Sequence, residues 1–183
     1  MGGRGSSATR NLNTGNISIY EGAPAHVVNA AREAQAWLLQ EFGQDIADKI
    51  ADTVYFKYNS YGRESAAVET GKLHNKEIRV NRESEIDTEV MIHENIHSVT
   101  NNIIGNYSIM EKELRKSFNT ARKEIYKAAG ITANKDNDRK YVSRYGSTDS
   151  GEFLSEAIAK YYAGKRNPVT TAAVEYIKKR IKK

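Results

Sequence analysis

Two histidines four residues apart, His93 and His97, place the strongest constraint on how this chain can fold. Each residue of an α-helix turns the chain by about 100°, so the two imidazoles lie about 40° apart around the axis and one turn apart along it. Both can then bind a single ion, and Glu94 lies beside the first of them. A His-Glu-x-x-His segment on a helix is typical of zinc hydrolases. The segment therefore predicts a helix that directs its histidines inward, towards a third ligand from elsewhere in the chain.

Apolar residues around the motif predict a helix over about 85–104, with Ser84 as its N-cap. They form two neighbouring stripes, made up of Ile86, Val90, His93, His97 and Ile104 and of Ile92, Ile96, Val99 and Ile103. Only the face of Thr88, Asn95 and Asn102 is left for water. A helix that is apolar on two sides is expected to be buried in the middle of a domain.

The rest of the chain predicts an α+β fold, in which a small twisted sheet packs on the central helix and further helices follow it. β-branched and aromatic residues indicate strands over 53–58, 67–69 and 77–81, with a hairpin loop at 71–76. Apolar residues at helical spacing indicate helices over 24–42, 109–129, 150–163 and from Pro168 to the C-terminus. Residues 134–140 are polar and are interpreted as a loop.

Composition limits the classes of protein to which the chain can belong. We expect one domain over 17–183, preceded by a disordered arm at 1–16 that is rich in Gly, Ser and Asn. The chain has no Cys, which excludes disulfides and thiolate ligands.

It shows neither a secretion signal nor 18 consecutive apolar residues, so we expect a soluble protein without a membrane partner. The net charge is +5, but most basic residues are interspersed with acids, which does not favour nucleic acid as a partner. The oligomeric state is left open.

The third metal ligand is most economically a carboxylate, because the chain has no Cys and only four His. The predicted helix after Gly151 offers Glu152 and Glu156, which are four residues apart and therefore share a face. One glutamate can bind the ion while the other accepts a hydrogen bond from a ligand histidine and fixes its tautomer. The spacing alone does not decide which glutamate does which.

A hydrolase of this type needs a base and an oxyanion donor around the metal. The fourth position of a catalytic zinc site holds water, whose pKa the metal lowers to about 7. Glu94 is placed at the rim, where it can take a proton from that water and later give it to a leaving amine. Tyr145, in the loop before the glutamate helix, is the candidate donor to the developing oxyanion. Together these residues predict zinc-dependent peptide hydrolysis.

Three segments form a larger pattern: His93-Glu94-x-x-His97, Ser143-Arg144-Tyr145-Gly146-Ser147-Thr148 and Glu152-Phe153-Leu154-Ser155-Glu156-Ala157. Over about 84–182 this pattern resembles the catalytic domain of anthrax lethal factor and its relatives, which include the Pro-Pro endopeptidases. Tyr145 lies seven residues before Glu152, the spacing that the family keeps between its tyrosine and its metal-binding glutamate. The family commonly has Phe-Phe-Ala-Glu-Ala-Phe where this chain has Phe153-Leu154-Ser155-Glu156-Ala157-Ile158.

The resemblance implies a zincin-like metallopeptidase domain, with a protein or peptide as its substrate. It implies Zn²⁺ as cofactor, with a gluzincin-like ligand set of His93, His97 and Glu152. It further implies roles for three more residues as general base, oxyanion stabiliser and support of a ligand histidine, namely Glu94, Tyr145 and Glu156. In zincins an edge strand beside the active-site helix pairs with extended substrate, and the matching strand here is expected to contain Ile78, Arg79 and Val80. The opening residues 1–7 look like the start of some phage and prophage proteins, so we expect a cytoplasmic or phage-associated protein.

Each assignment has a plainer alternative. The histidines are also compatible with an ordinary buried helix, and Asp149-x-x-Glu152 is a capping box in which the glutamate serves only its own helix. Tyr145 can simply pack, and Glu156 can face solvent. For the whole protein, the alternatives are a phage-associated binding or assembly module with a structural or absent metal site, and a basic nucleic-acid binder. A fourth protein ligand would indicate a structural site, whereas an open position favours the enzyme.

Overall fold

The computed structural model describes residues 17–57, 66–68, 76–105 and 112–182. These residues form an α+β structure that is mostly helical, which confirms the α+β part of the predicted fold class. The helices are α1 (Ala25–Phe42), α2 (Thr88–Ile103), α3 (Lys112–Ala128), α4 (Lys135–Tyr141), α5 (Ser150–Tyr162) and α6 (Pro168–Ile181). The strands are β1 (Ser18–Ile19), β2 (Thr53–Phe56), β3 (Ala66–Val68) and β4 (Glu77–Val80). None of the described helices has the length and apolar character that crossing a membrane requires.

Parts of several predicted elements lie outside the described residues. They are the N-terminal arm at 1–16, most of the hairpin loop at 71–76, and the ends of predicted elements at Tyr58, Glu69 and 109–111.

Local sequence signals explain where the helices begin and end. At the start of α6, the side chain of Asn167 accepts hydrogen bonds from the backbone N–H groups of Val169 and Thr170. The hydroxyl of Thr170 accepts in return from the N–H of Asn167, which completes a capping box. Pro168 takes the first helical position, where no N–H is needed. Helix α1 ends at Gly43, whose φ of 80° is one that a glycine adopts without strain.

The sheet has the strand order β1-β2-β4-β3, in which the first three strands are parallel and β3 runs antiparallel to β4. The prediction that 77–81 forms an edge strand is therefore wrong, because β4 has hydrogen-bonded neighbours on both sides. Ile78 and Val80 are fully buried, since alternate β-branched side chains of an interior strand face the core. Arg79 is paired in register with Tyr55 and Ala67 of the flanking strands. Among the described strands, β1 and β3 are the outermost.

The N-cap of the central helix α2 lies three residues after the predicted N-cap at Ser84. Residues Glu83–Glu85 form a turn of 3-10 helix, and Ser84 is exposed. Asp87 is the N-cap instead, because its carboxylate accepts a hydrogen bond of 2.8 Å from the backbone N–H of Val90. The helix then runs to Ile103, close to the predicted end.

The face of α2 that was expected to meet water is partly buried. Asn95 is completely buried, because its Oδ1 accepts a hydrogen bond of 2.9 Å from the N–H of Ala51 and its Nδ2 donates to the carbonyl of Met91. Gln35 of α1 donates to the carbonyl of the same Ala51 at 2.8 Å. Two buried amides therefore hold one peptide segment just before β2. This arrangement fixes the rotation of α2 about its own axis and leaves Asn102 as the exposed asparagine of that face.

Helices α1 and α5 pack most closely on α2, which is buried between them. The core that results contains Leu38 of α1, Ile92 and Ile96 of α2, and Leu154 and Ile158 of α5, all at most 1% exposed. The predicted position of the motif helix in the middle of the domain is confirmed.

The segment at 134–140, interpreted as a loop, is mostly helix α4. Asn134 caps it by accepting a hydrogen bond of 2.8 Å from the N–H of Asn137. Asp138 of α4 is 2% exposed and accepts two hydrogen bonds from the Arg122 guanidinium of α3, at 3.0 and 2.7 Å. The hydroxyl of Tyr126 donates to the same carboxylate at 2.8 Å. The helix is polar because it is held by a charged network rather than by an apolar stripe.

We expect Asp138→Ala to lower the free energy of unfolding by about 3 kcal/mol, because it leaves the Arg122 guanidinium largely buried without its carboxylate. Urea unfolding followed by circular dichroism measures this loss. The control is Asp136→Asn on the exposed side of α4, where a pair with Arg139 at 3.6 Å is solvated. The control is expected to change stability by less than about 0.5 kcal/mol. Equal effects of the two substitutions would contradict the structural importance of the network.

Candidate metal centre

Helix α2 brings the two histidines of the motif to one place. The Nε2 atoms of His93 and His97 lie 3.0 Å apart, and the ring centroids lie 4.8 Å apart. Both side chains are largely buried, with 11% and 14% exposed. The four-residue spacing thus places both imidazoles on one face of α2, as the helical repeat predicts.

Helix α5 adds a carboxylate to the two imidazoles. Oε2 of Glu152 lies 3.2 Å from Nε2 of His93 and 3.4 Å from Nε2 of His97. In a tetrahedral site with metal–ligand bonds of about 2.0–2.1 Å, two ligand atoms are about 3.3 Å apart. The triangle of 3.0, 3.2 and 3.4 Å fits this geometry without movement of a helix. His93, His97 and Glu152 can therefore hold a metal ion.

At the start of α5, the capping side chain and the Glu152 carboxylate have different partners. Asp149 is the N-cap, and its carboxylate accepts hydrogen bonds from the N–H groups of Gly151 and Glu152, at 2.8 and 3.1 Å. The Glu152 carboxylate itself is directed at the histidines. Its Oε2 is buried, and no described residue gives it a hydrogen bond of regular geometry. An oxygen in this position is suited to bind a cation.

The electrostatics of the centre favour positive charge between the ligand atoms. Burial by itself would lower the pKa of His93, but the carboxylates of Glu152 and Glu156 outweigh it and raise that pKa to about 10. Burial would likewise raise the pKa of Glu152, but the two imidazoles hold it well below its usual range. The same carboxylates that favour a proton on the imidazole favour a divalent cation in its place.

Glu156 lies one turn beyond Glu152 and contacts the other side of the His93 ring. Its Oε1 is 3.2 Å from Nδ1 of His93, and its side chain is 14% exposed. A hydrogen bond from Nδ1–H to this carboxylate fixes the tautomer in which Nε2 has a free lone pair for the ion. Burial by itself would raise the pKa of the Glu156 carboxyl, but its hydrogen-bond partners His93 and Ser143 hold that pKa below its usual value. Glu156 is thus not a solvent-facing residue of α5.

Gly146 allows the loop before α5 to lie close to Glu156. A Cβ atom at position 146 would lie 3.1 Å from Cβ of Glu156 and 3.1 Å from Cγ1 of Val142. The N–H of Gly146 donates to the hydroxyl of Ser143 at 2.8 Å. The loop backbone therefore lies directly on α5, at a distance that a larger residue would have to widen.

A cleft of about 570 Å³ is lined by His93 and by both predicted catalytic side chains, whereas His97 and Glu152 are not among its described lining residues. Glu94 lines it and is 8% exposed. Tyr145 lines it as well, with its ring centroid 6.1 Å from that of His93, although 51% of the residue is exposed. An aromatic residue that is half exposed beside a buried polar cluster is placed to contact a ligand rather than the core.

The structure also shows where the sequence analysis was incomplete. The described residues that line the cleft do not include the proposed substrate-binding residues Ile78, Arg79 and Val80, but they include Ala66 of β3. They also include Lys160 of α5 and Glu89 of α2, which form an ion pair that the sequence analysis did not identify. The signal was present in the spacing, because Lys160 follows Glu156 by four residues and Glu89 precedes His93 by four.

Comparison with known proteins does not assign the chain to a family. No protein-family model, no curated protein and no solved structure matches the chain.

Proposed function

We propose that the protein is a zinc-dependent endopeptidase with a zincin-like fold, similar to the catalytic domain of lethal factor. The observation that supports this most is the triangle of His93, His97 and Glu152, whose His93 lines the same cleft as Glu94 and Tyr145. No fourth His, Asp or Glu joins the triangle among the residues that the structure describes. Three protein ligands and an open fourth position are characteristic of a catalytic rather than a structural site.

The donor set supports zinc as the metal. Two imidazole nitrogens and one carboxylate oxygen form one of the established ligand sets of catalytic zinc, and their tetrahedral spacing fits this ion. Bound zinc would supply a Lewis acid that polarises the substrate carbonyl and makes a water molecule acidic enough to attack at neutral pH. The overall charge of the ion with two neutral histidines and one glutamate would be +1.

The chain's own residues would perform the remaining steps. Glu94 would accept the proton of the attacking water and donate it to the amine that leaves. The Tyr145 hydroxyl would donate a hydrogen bond to the oxygen on which negative charge develops. Glu156 would hold Nδ1 of His93, so that the imidazole keeps its orientation during turnover.

The corrected sheet order changes the proposal for substrate binding. The outermost strand on the side of β4 is β3, and its Ala66 lines the cleft. An extended peptide that adds to β3 would pass beside the metal centre and present its carbonyl groups to the cleft. A peptide bond in an extended chain is thus the substrate class that this geometry suits.

The proposal is tested by measuring metal content and peptide cleavage on the same preparation. We expect about one zinc per chain, cleavage of an unstructured peptide library detected by mass spectrometry, loss of cleavage with a chelator, and recovery when zinc is returned. A protein that binds no zinc would refute the metal assignment. A protein that binds zinc but cleaves no member of the library would favour a binding or assembly module instead.

Tyr145→Phe is expected to lower kcat by about 10²–10³-fold while zinc content stays the same, because it removes one hydrogen bond that is made to the oxyanion. Steady-state kinetics on a peptide found in the library, together with metal analysis, measure the two quantities. The control is Tyr161→Phe, which lies on α5 outside the described lining of the cleft. If the two variants have the same kcat, Tyr145 is not the oxyanion donor.

A further inference from the structure

The metal centre is part of a longer row of contacts between α2 and α5. On α2, Glu89, His93 and His97 follow one another at intervals of four residues, as Glu152, Glu156 and Lys160 do on α5. Residues four apart lie one above another on a helix, so each set forms a row. The rows face each other in opposite directions, with the contacts His97–Glu152, His93–Glu156 and Glu89–Lys160 in sequence.

The last of these contacts is an ion pair between two residues that line the cleft. The Lys160 ammonium donates to Oε1 of Glu89, and the two side chains are 22% and 32% exposed. Burial by itself would lower the pKa of Lys160, but the Glu89 carboxylate and the charge of Glu156 raise it, so that the ammonium stays charged. Among the described residues that line the cleft, Lys160 is the one lysine or arginine.

We propose that Glu89 and Lys160 form a positioning pair for the metal centre, which sets the spacing of α5 from α2 at the turn next to His93. This inference rests on the proposed metal site. Glu156 lies between Lys160 and the ligand Glu152 along α5, and it must stay within hydrogen-bond distance of Nδ1 of His93 to fix the tautomer. The ion pair restrains the helix one turn beyond this contact, so that Glu156 is held from both directions.

Charge gives the pair a second effect on Glu156. The carboxylates of Glu89, Glu152 and Glu156 lie along the facing sides of α2 and α5 and repel one another. The Lys160 ammonium, at the end of the row next to Glu89, offsets part of this repulsion. Without it, the Glu156 carboxylate would be free to turn away from His93 towards solvent, and the imidazole would lose its fixed orientation.

The test is the affinity of the protein for zinc, measured by competition with a chelator that has a known zinc affinity. We expect Lys160→Met and Glu89→Gln each to weaken zinc binding by about 10-fold, the lower end of the effect of groups that orient metal ligands. The charge-exchanged protein, Glu89→Lys with Lys160→Glu, is expected to recover to within about 3-fold of the wild type because the pair is restored. Substituted Co²⁺ gives an independent spectroscopic reading of ligand geometry in each variant.

The matched control is the ion pair between Lys178 of α6 and Glu41 of α1. It also joins two helices, at 2.7 Å, with 31% and 20% of the side chains exposed, but it is not part of the row. We expect Lys178→Met to leave zinc affinity and the Co²⁺ spectrum unchanged even if it lowers stability by the same amount.

The outcomes separate this inference from the proposed function. A wild-type protein that binds no zinc refutes both. If the wild type binds zinc and cleaves peptides, but Lys160→Met keeps wild-type affinity or Lys178→Met loses as much, the positioning pair is refuted and the enzyme is not. Failure of the charge-exchanged protein to recover would also refute it, since the exchange restores the pair and leaves the total charge of the row unchanged. Lys160→Arg, which keeps the pair, serves as the conservative variant and should retain affinity.

Discussion

Glu94→Gln is expected to reduce peptide hydrolysis by about 10²–10⁴-fold while the protein still binds one zinc ion. The amide has nearly the shape of the carboxylate but cannot accept a proton from water. Glu94 lies in the cleft and outside the triangle of ligand atoms, so the metal centre should be unchanged. Turnover of a peptide substrate and metal analysis of the same sample measure the two properties.

The control for this substitution is Glu85→Gln, on an exposed carboxylate that pairs with Arg82 at the surface. It should retain both activity and zinc. Full activity of Glu94→Gln would exclude the residue as general base, whereas loss of zinc from that variant would mean that Glu94 supports the metal site itself.

Glu152→Gln is expected to weaken zinc binding by at least about 100-fold, because it replaces the one anionic ligand by a neutral amide. The expectation follows from Oε2 lying 3.2 and 3.4 Å from the two Nε2 atoms. Chelator competition measures the affinity, and the shift of the thermal unfolding midpoint on addition of zinc gives a second estimate.

The N-cap of the same helix provides the matched control. Asp149→Ala removes the carboxylate that accepts hydrogen bonds at the start of α5 and should lower stability by about 1 kcal/mol. We expect its zinc affinity to stay near that of the wild type. If Glu152→Gln behaved as Asp149→Ala does, with lower stability and normal zinc binding, Glu152 would be a residue of the helix terminus rather than a ligand.

The sequence was sufficient where the placement of a side chain depends on one helix. The spacing of His93 and His97 determines that their imidazoles meet, and the spacing of Glu152 and Glu156 determines that both face the same way. The helical repeat acts over a few residues, so it can be read from the chain directly. The contact between these faces of α2 and α5 was predicted because their histidines and glutamates can bind the same ion.

Features that depend on distant partners could not be read in this way. The place of Ile78 in the sheet is decided by β3, which adds to β4 on the side away from β2. The residues of a strand do not by themselves determine whether one or two neighbouring strands will pair with it. The prediction of an edge strand at 77–81 was wrong for this reason.

Polar residues gave a second kind of error, because polarity was taken to indicate contact with water. Asn95 is fully buried, since a backbone segment near Ala51 supplies its hydrogen-bond partner, and Asp138 is buried because Arg122 neutralises it. Such groups are stable inside a protein when every polar atom finds a partner. The partners lie 44 and 16 residues away along the chain, beyond the range of a local pattern.

The close contact between Gly146 and Glu156 has a consequence for how such a site can evolve. The backbone that carries Tyr145 lies against the Glu156 side chain, whose Cβ is 3.1 Å from where a side chain at position 146 would begin. A change that enlarges residue 146 would therefore displace the hydroxyl and the imidazole support together. Adaptation of the proposed enzyme to a new substrate is consequently expected to accumulate at other lining residues such as Ala66, where a substitution can alter recognition without disturbing the groups proposed to bind the metal.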